Sequence, residues 1–156
     1  MFETLISKLQ DDKYLTLETT PQHEPSMHNI VEKIKKFKID SKVDGFTCTD
    51  NPLAKLKYNS LFAALKLQQE FKKPVIATMT MRDRNKIALQ SDLMAANDFD
   101  IRAILALTGD PAKMSDQPKS KRVFEANSLM LLKMIKSFNY GMDFAGHPFK
   151  IEPKQI

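Results

Sequence analysis

Two carboxylates stand at the ends of apolar stretches that are typical of buried strands. The segment ILALTGD, residues 104–110, runs through four apolar residues and then ends in Thr108, Gly109 and Asp110. Near the start of the chain, LTLETTP carries Glu18 in a similar position. A carboxylate at the end of a buried strand is more often functional than one on the surface. Glu18 and Asp110 are therefore the first candidates for chemistry.

Both residues also have a structural interpretation. A turn after a parallel strand favours Gly and Asp, so Asp110 could serve turn geometry alone. Gly109 could equally let a flat ligand approach the backbone. The default interpretation of the other polar candidates is structural, as strand residues, a helix-entry loop or strand-end hydrogen bonders: Thr49, Thr80, Arg82, Asp83, Arg84, Asn85 and His147.

Metal chemistry finds no support in the sequence. His23, His28 and His147 show no metal-ligand spacing. Cys48 is the only cysteine, which excludes an internal disulfide and a multi-cysteine metal site. We expect it to be a small core residue in a reducing, cytoplasmic setting.

The elements that must position the candidates alternate along the chain. Short apolar runs predict strands over 14–19, 45–50, 74–81, 101–109 and 142–148. Segments with helical periodicity lie between them, at about 26–37, 53–71, 85–98 and 125–138, with a short amphipathic helix over 1–12. Asn51 and Pro52 are the expected cap and first residue of the second of these helices, and Asn85 caps the third.

This alternation predicts an α/β fold with right-handed crossovers and a parallel sheet. A doubly wound sheet usually has a glycine-rich first turn, whereas the four glycines here form neither GxGxxG nor the Walker A phosphate-loop pattern. Polar residues instead follow each strand, as they do around the site of a (β/α) barrel. We therefore expect a partial TIM barrel of about five strands, a single incomplete domain over 1–156 with β1 to β5 in 14–148.

Composition sets further bounds. Hydrophobic residues make up 42% of the 156 residues, a globular composition. No stretch approaches the ~20 apolar residues of a membrane span, and no signal-peptide core is present. The net charge is +5, but its lysines are scattered over several predicted helices. We expect neither nucleic acid nor membrane as a partner.

Three stretches together resemble the methylenetetrahydrofolate reductase family. They are, in order, CTDNPLAKLKYNSLFAALKLQ, RDRNKIALQSDLMAANDFDIRAILALTGDP and VFEANSLMLL. The resemblance implies a flavin-dependent (β/α)8 barrel of one-carbon metabolism and methionine biosynthesis. Such enzymes bind FAD (FMN is the alternative) and take a hydride from NAD(P)H. They pass it to 5,10-methylenetetrahydrofolate, which gives 5-methyltetrahydrofolate.

The resemblance also assigns roles to residues. Glu18 matches the catalytic acid that helps open the methylene bridge to an iminium. Asp110 matches the carboxylate beside flavin and folate. Thr49, Thr108 and Gly109 match flavin-contacting strand ends. Thr78 falls where many members have histidine, and His147 where many have tyrosine.

The chain also departs from the family pattern. After the fifth predicted strand it reads HPFKIEPKQI, where the family has an acidic, histidine-bearing run. A full barrel needs about eight strands and about 250 residues. The alternative function is therefore a non-catalytic half-barrel, a binding or assembly module completed by a partner chain or by a second copy.

Overall fold

The computed structural model describes residues 2–11, 13–117, 119–123, 125 and 127–156. Its strands are β1 (Thr16–Thr19), β2 (Gly45–Cys48), β3 (Val75–Thr80) and β4 (Ala103–Leu107). Its helices are α1 (Phe2–Gln10), α2 (His28–Lys36), α3 (Ser60–Phe71), α4 (Lys86–Asp98) and α5 (Ser128–Asn139). Met1 and Asp12 of the predicted first helix, and Ala126 of the predicted last helix, lie outside the described residues.

The four strands form one parallel sheet in the order β1-β2-β3-β4. Each strand pairs with the strand before it in the chain, with a helix between them. A doubly wound sheet reverses direction at a switch point, whereas a (β/α) barrel keeps adding strands on the same side. The order confirms the predicted α/β fold with the strand succession of a barrel.

The helices cover one face of the sheet. Phe46 and Cys48 of β2 and Val75 and Ala77 of β3 are buried in a core with residues from α2 and α3: Met27, Val31, Ile34, Ala63, Ala64 and Leu67. Because side chains alternate along a strand, the residues between them occupy the opposite face, called the inner face below. The register brings Glu18, Thr47, Ile76 and Ala103 side by side on it.

A second core lies beneath α4 and α5. Met79 and Met81, at the end of β3, pack with apolar residues of the two helices: Leu89, Leu93, Leu131, Met134, Ile135 and Phe138. Phe144, Phe149 and Ile156, from the segment after α5, pack against this cluster. This packing fixes the ends of β3 and β4 relative to the helices.

The predicted fifth strand over 142–148 is wrong. Met142 and Pro148 form only an isolated antiparallel bridge, and the residues between them turn. Asp143 stabilises the turn by accepting hydrogen bonds from the amides of Ala145 and His147, and Gly146 has φ of +93°. Phe144 packs on the second core rather than beside β4. Within the described residues β4 is thus an edge strand.

The predicted start of the helix over 53–71 is also wrong. Asn51 adopts a left-handed conformation and leads into a single 3₁₀ turn, Pro52–Ala54. The helix begins at Ser60, where the Asn59 side chain caps it by accepting from the amides of Leu61 and Phe62. An extended connection therefore precedes α3. The predicted cap at Asn85 is confirmed, since its side chain accepts from the Ala88 amide at 2.9 Å.

No described helix combines the length and apolar character needed to cross a membrane.

Candidate functional site

Asp50 ties the carboxyl ends of two strands together. It follows β2 and is 4% exposed. Its Oδ2 accepts from the backbone amide and the hydroxyl of Thr80, the last residue of β3, both at 2.9 Å. Arg84 donates to the same carboxylate, with Nη1 2.7 Å from Oδ2 and Nη2 3.3 Å from Oδ1. Four donors thus hold one buried carboxylate.

Two arginines extend this bracing to the neighbouring elements. Arg84 Nε lies 2.9 Å from Asp92 Oδ2 on α4, an ion pair without hydrogen-bond alignment. Arg82, which is 2% exposed, pairs with Asp83 through Nε and Nη2 and donates from Nη1 to the Asn51 carbonyl at 3.1 Å. The ends of β2 and β3 are therefore joined by charge-assisted hydrogen bonds.

These ion pairs change the titration of their members. The hydrogen bond from Arg82 lowers the pKa of Asp83, against the opposing effect of burial. The pKa of Arg84 rises although burial alone would lower it, because Asp50 accepts from it and the charges of Asp50 and Asp92 add. Burial raises the pKa of Asp92. Both guanidiniums are engaged by carboxylates.

The backbone conformation at position 109 requires a glycine. Its φ is +97°, a region that residues with a side chain rarely adopt. A Cβ at this position would lie 3.0 Å from Arg82 Cβ and 3.1 Å from Thr80 Cβ. The chain after β4 therefore passes directly against the end of β3, which is a reason for the glycine besides the flat ligand expected from the sequence.

Asp110 is held by a strained loop. Its Oδ2 accepts from the Leu53 amide at 2.6 Å. Asn51, Leu53 and Ala54 all have positive φ, at 44°, 56° and 56°. Such a conformation costs about 1–2 kcal/mol per residue. The loop after β2 thus adopts an unfavourable backbone that presents one amide to Asp110.

The remaining residues of the predicted site, apart from His147, lie on the inner face or directly after the strands. Glu18 on β1 is exposed, while Thr78 on β3 is buried. Thr49 follows β2 and its hydroxyl bonds that of Thr20 at 3.3 Å. Thr108 follows β4, and its hydroxyl accepts a hydrogen bond from the Ser128 amide at 3.3 Å. This bond joins the end of β4 to the start of α5.

His147 is not on a strand of this sheet. It lies in the turn after α5, with Nδ1 2.9 Å from Asp143 Oδ2, and its side chain is 79% exposed. The backbone amide of His147, more than its ring, lowers the pKa of Asp143. Its predicted place at the end of a fifth strand fails with that strand, and its predicted flavin contact stays a prediction.

Sequence reasoning assigned no functional role to Asp50, Arg82 or Arg84. Asp50 contacts residues 30 and 34 positions away, and Arg82 donates to the Asn51 carbonyl 31 positions away. The available signal is their place at the end of, or within three residues after, a predicted strand. Among the described residues, no group of three or more His, Cys, Asp or Glu could hold a metal ion.

The sequence matches the family described as Methylenetetrahydrofolate reductase over residues 3–155. A search of the curated proteins finds no match. The family has the TIM-barrel fold, with which four parallel strands alternating with helices agree, and it consists of folate-dependent oxidoreductases. Because the match covers nearly the whole chain, this protein belongs to the methylenetetrahydrofolate reductase family.

Proposed function

We propose that this chain carries the strand ends of a flavin-dependent reductase that converts 5,10-methylenetetrahydrofolate to 5-methyltetrahydrofolate at the expense of NAD(P)H. The family match over residues 3–155 is the observation that carries this proposal. A single incomplete barrel domain and a cytoplasmic setting are part of it, and the unpaired Cys48 supports that setting.

The inner face has the mixed chemistry that a flavin ring needs. On β4, Leu105 and Leu107 are 44% and 42% exposed, and they pair in register with Thr78 and Thr80 of β3. A flat ring system with a polar edge fits beside apolar side chains and hydroxyls. The residues proposed to hold FAD, or FMN as the alternative, are Thr49, Thr78, Thr108, Gly109, Asp110 and His147. The flavin would relay a hydride from NAD(P)H to the folate.

Glu18 is proposed as the general acid. It lies on the inner face of β1, next to Thr47 in register, and it is exposed. An accessible carboxyl can hand its proton to the folate nitrogen that leaves the methylene carbon, which opens the bridge to the iminium. Donating this proton is the step in which we expect Glu18 to take part.

Asp110 is proposed to stabilise the positive charge of that iminium. A fixed negative charge next to a developing cation lowers its energy most when nearby groups hold the carboxylate in place. Here the Leu53 amide orients one oxygen at 2.6 Å. The other oxygen receives no hydrogen bond from the described residues and is the one proposed to face the ligand.

A second candidate function is a non-catalytic module that binds a partner chain or a second copy. It is favoured by the exposed leucines of β4 and by the edge of this strand, which no described strand pairs. Unpaired edges commonly recruit further strands. The two candidates differ in whether the protein binds flavin by itself.

Turnover of the Glu18→Gln variant tests the proposal. The purified protein is loaded with FAD, reduced anaerobically with NAD(P)H and mixed with 5,10-methylenetetrahydrofolate. We expect flavin reduction to keep its rate and folate reduction to fall about 10²–10⁴-fold, since only the second step needs the acid. Glu70→Gln, on the outer helices, is the matched control. Equal folate rates in Glu18→Gln and wild type would overturn the role of Glu18, and absence of flavin binding would favour the assembly module.

A further inference from the structure

We infer that Asp50 and Arg84 are positioning residues, which set the place of Asp110 through the end of β3 and through the loop after β2. The inference rests on the proposed function, because Asp110 is the group whose position would matter there. Neither residue needs to touch substrate or flavin for this role.

Asp50 acts first on Thr80, the last residue of β3. Asp50 accepts from both the amide and the hydroxyl of Thr80, so it fixes the backbone and the rotamer of the last residue in β3. The carboxylate is almost completely buried, with 1% of its side chain exposed. Water therefore cannot readily replace Asp50 as the partner of Thr80.

The second step fixes Asp50 itself. Arg84 approaches the carboxylate with two nitrogens, and its side chain is 15% exposed. Its third nitrogen lies beside Asp92, which belongs to α4. A planar guanidinium between two carboxylates leaves Asp50 little rotational freedom. Helix α4 is thus coupled to the ends of β2 and β3.

Asp110 is supported from two sides, by the end of β3 and by the loop after β2. Thr80 forms part of the wall that Gly109 passes, where a Cβ would come within 3.1 Å, and Asp110 is the next residue. From the other side, the strained loop begins directly after Asp50 and donates the Leu53 amide to Asp110. A shift of Asp50 would therefore move both supports of Asp110 together.

The test reads the Leu53 amide by NMR, without any need for activity. In Asp50→Asn and in Thr80→Val, we expect its proton resonance to move upfield. We also expect its exchange to speed up about tenfold relative to the amides inside β3, because the short hydrogen bond to Asp110 loosens. Thr80→Ser keeps the hydroxyl and should restore the wild-type signal, and Glu70→Gln should leave it unchanged.

A purely structural role would speed exchange throughout the sheet and leave the Leu53 resonance in place, and this result would overturn the inference. Should Asp50→Asn fail to fold, Thr80→Val and Thr80→Ser still decide the question. In the flavin-loaded protein we expect Thr80→Val to lower kcat about tenfold with KM for folate unchanged. A wild type without flavin binding would overturn the proposed function, while the Leu53 signal would still test the positioning.

Discussion

Glu18 and Asp50 are two carboxylates at the same edge of one sheet, and their surroundings are opposite. Asp50, beyond the end of β2, is buried and receives four hydrogen bonds. Glu18, within β1, is exposed on the inner face. A buried carboxylate surrounded by protein donors is closed to a substrate, whereas an accessible one can exchange protons with a ligand.

This difference separates structural carboxylates from candidate catalytic ones at the carboxyl end of the sheet. The ends of β2 and β3 are braced by Asp50, Arg82 and Arg84, and no comparable ion pair holds Glu18 among the described residues. Asp110 stands between the two cases, because a strained loop orients one of its oxygens.

The largest expected difference is in stability. Asp50→Ala leaves the Thr80 donors and two of the three Arg84 nitrogens without their partner in the interior, and we expect a loss of about 3 kcal/mol in the free energy of unfolding. Glu18→Ala removes an exposed group and should change it by less than about 0.5 kcal/mol. Urea denaturation of both variants measures the difference. Equal losses would show that the two carboxylates are not distinguished by burial.

A smaller difference in stability is expected between the alanine variants of two glycines that have similar backbone conformations. Gly109→Ala forces a Cβ against Arg82 and Thr80 at φ of +97°, so we expect a loss of about 2–4 kcal/mol. Gly146 has φ of +93° with no atom within 4 Å of such a Cβ, so strain alone should cost about 1–2 kcal/mol in Gly146→Ala. Thermal unfolding compares them. The same loss at both positions would argue against close contact between Gly109 and the end of β3.

The smallest expected effect is on the pH dependence of the free energy of unfolding. The hydrogen bond from Arg82 lowers the folded-state pKa of Asp83. Asp83 therefore stabilises the fold above the ordinary aspartate pKa of about 4, and this contribution is lost as pH falls through the lowered folded value. We expect Asp83→Asn to lose less stability than wild type below about pH 4. Its side chain is 39% exposed, so solvent screening keeps the effect small. Superimposable pH curves from denaturant titrations would contradict it.

The sequence predicted the alternation of elements because each strand carries its own local signal. Strands β1 to β4 and helices α2, α4 and α5 follow from apolar periodicity, and the Asn85 cap follows from its place before a periodic segment. The start of α3 was wrong because Asn51 and Asn59 offer equal capping chemistry in sequence. The hydrogen bonds from Leu53 to Asp110 and from Arg82 to Asn51 hold the loop in its non-helical conformation, and the sequence pattern does not show them.

Tertiary packing decides the features that local patterns could not predict. The segment 142–148 alternates like a strand, but Phe144 and Phe149 find an apolar surface on α4 and α5. The bracing by Asp50 depends on partners 30 and 34 residues distant, which periodicity cannot show. The roles of Glu18, Asp110 and the flavin-binding residues come from family resemblance and remain predictions.

Whether the protein binds FAD decides if these strand ends form a flavin site. The protein is incubated with excess FAD, passed through gel filtration, and its visible absorption is compared with that of Asp110→Asn and of the control Glu70→Gln. We expect a flavin spectrum that co-elutes with wild type and with Glu70→Gln in near-stoichiometric amount, and weaker retention of flavin by Asp110→Asn. Colourless wild-type protein, with all FAD eluting as free cofactor, would contradict the proposal that these strand ends form a flavin site.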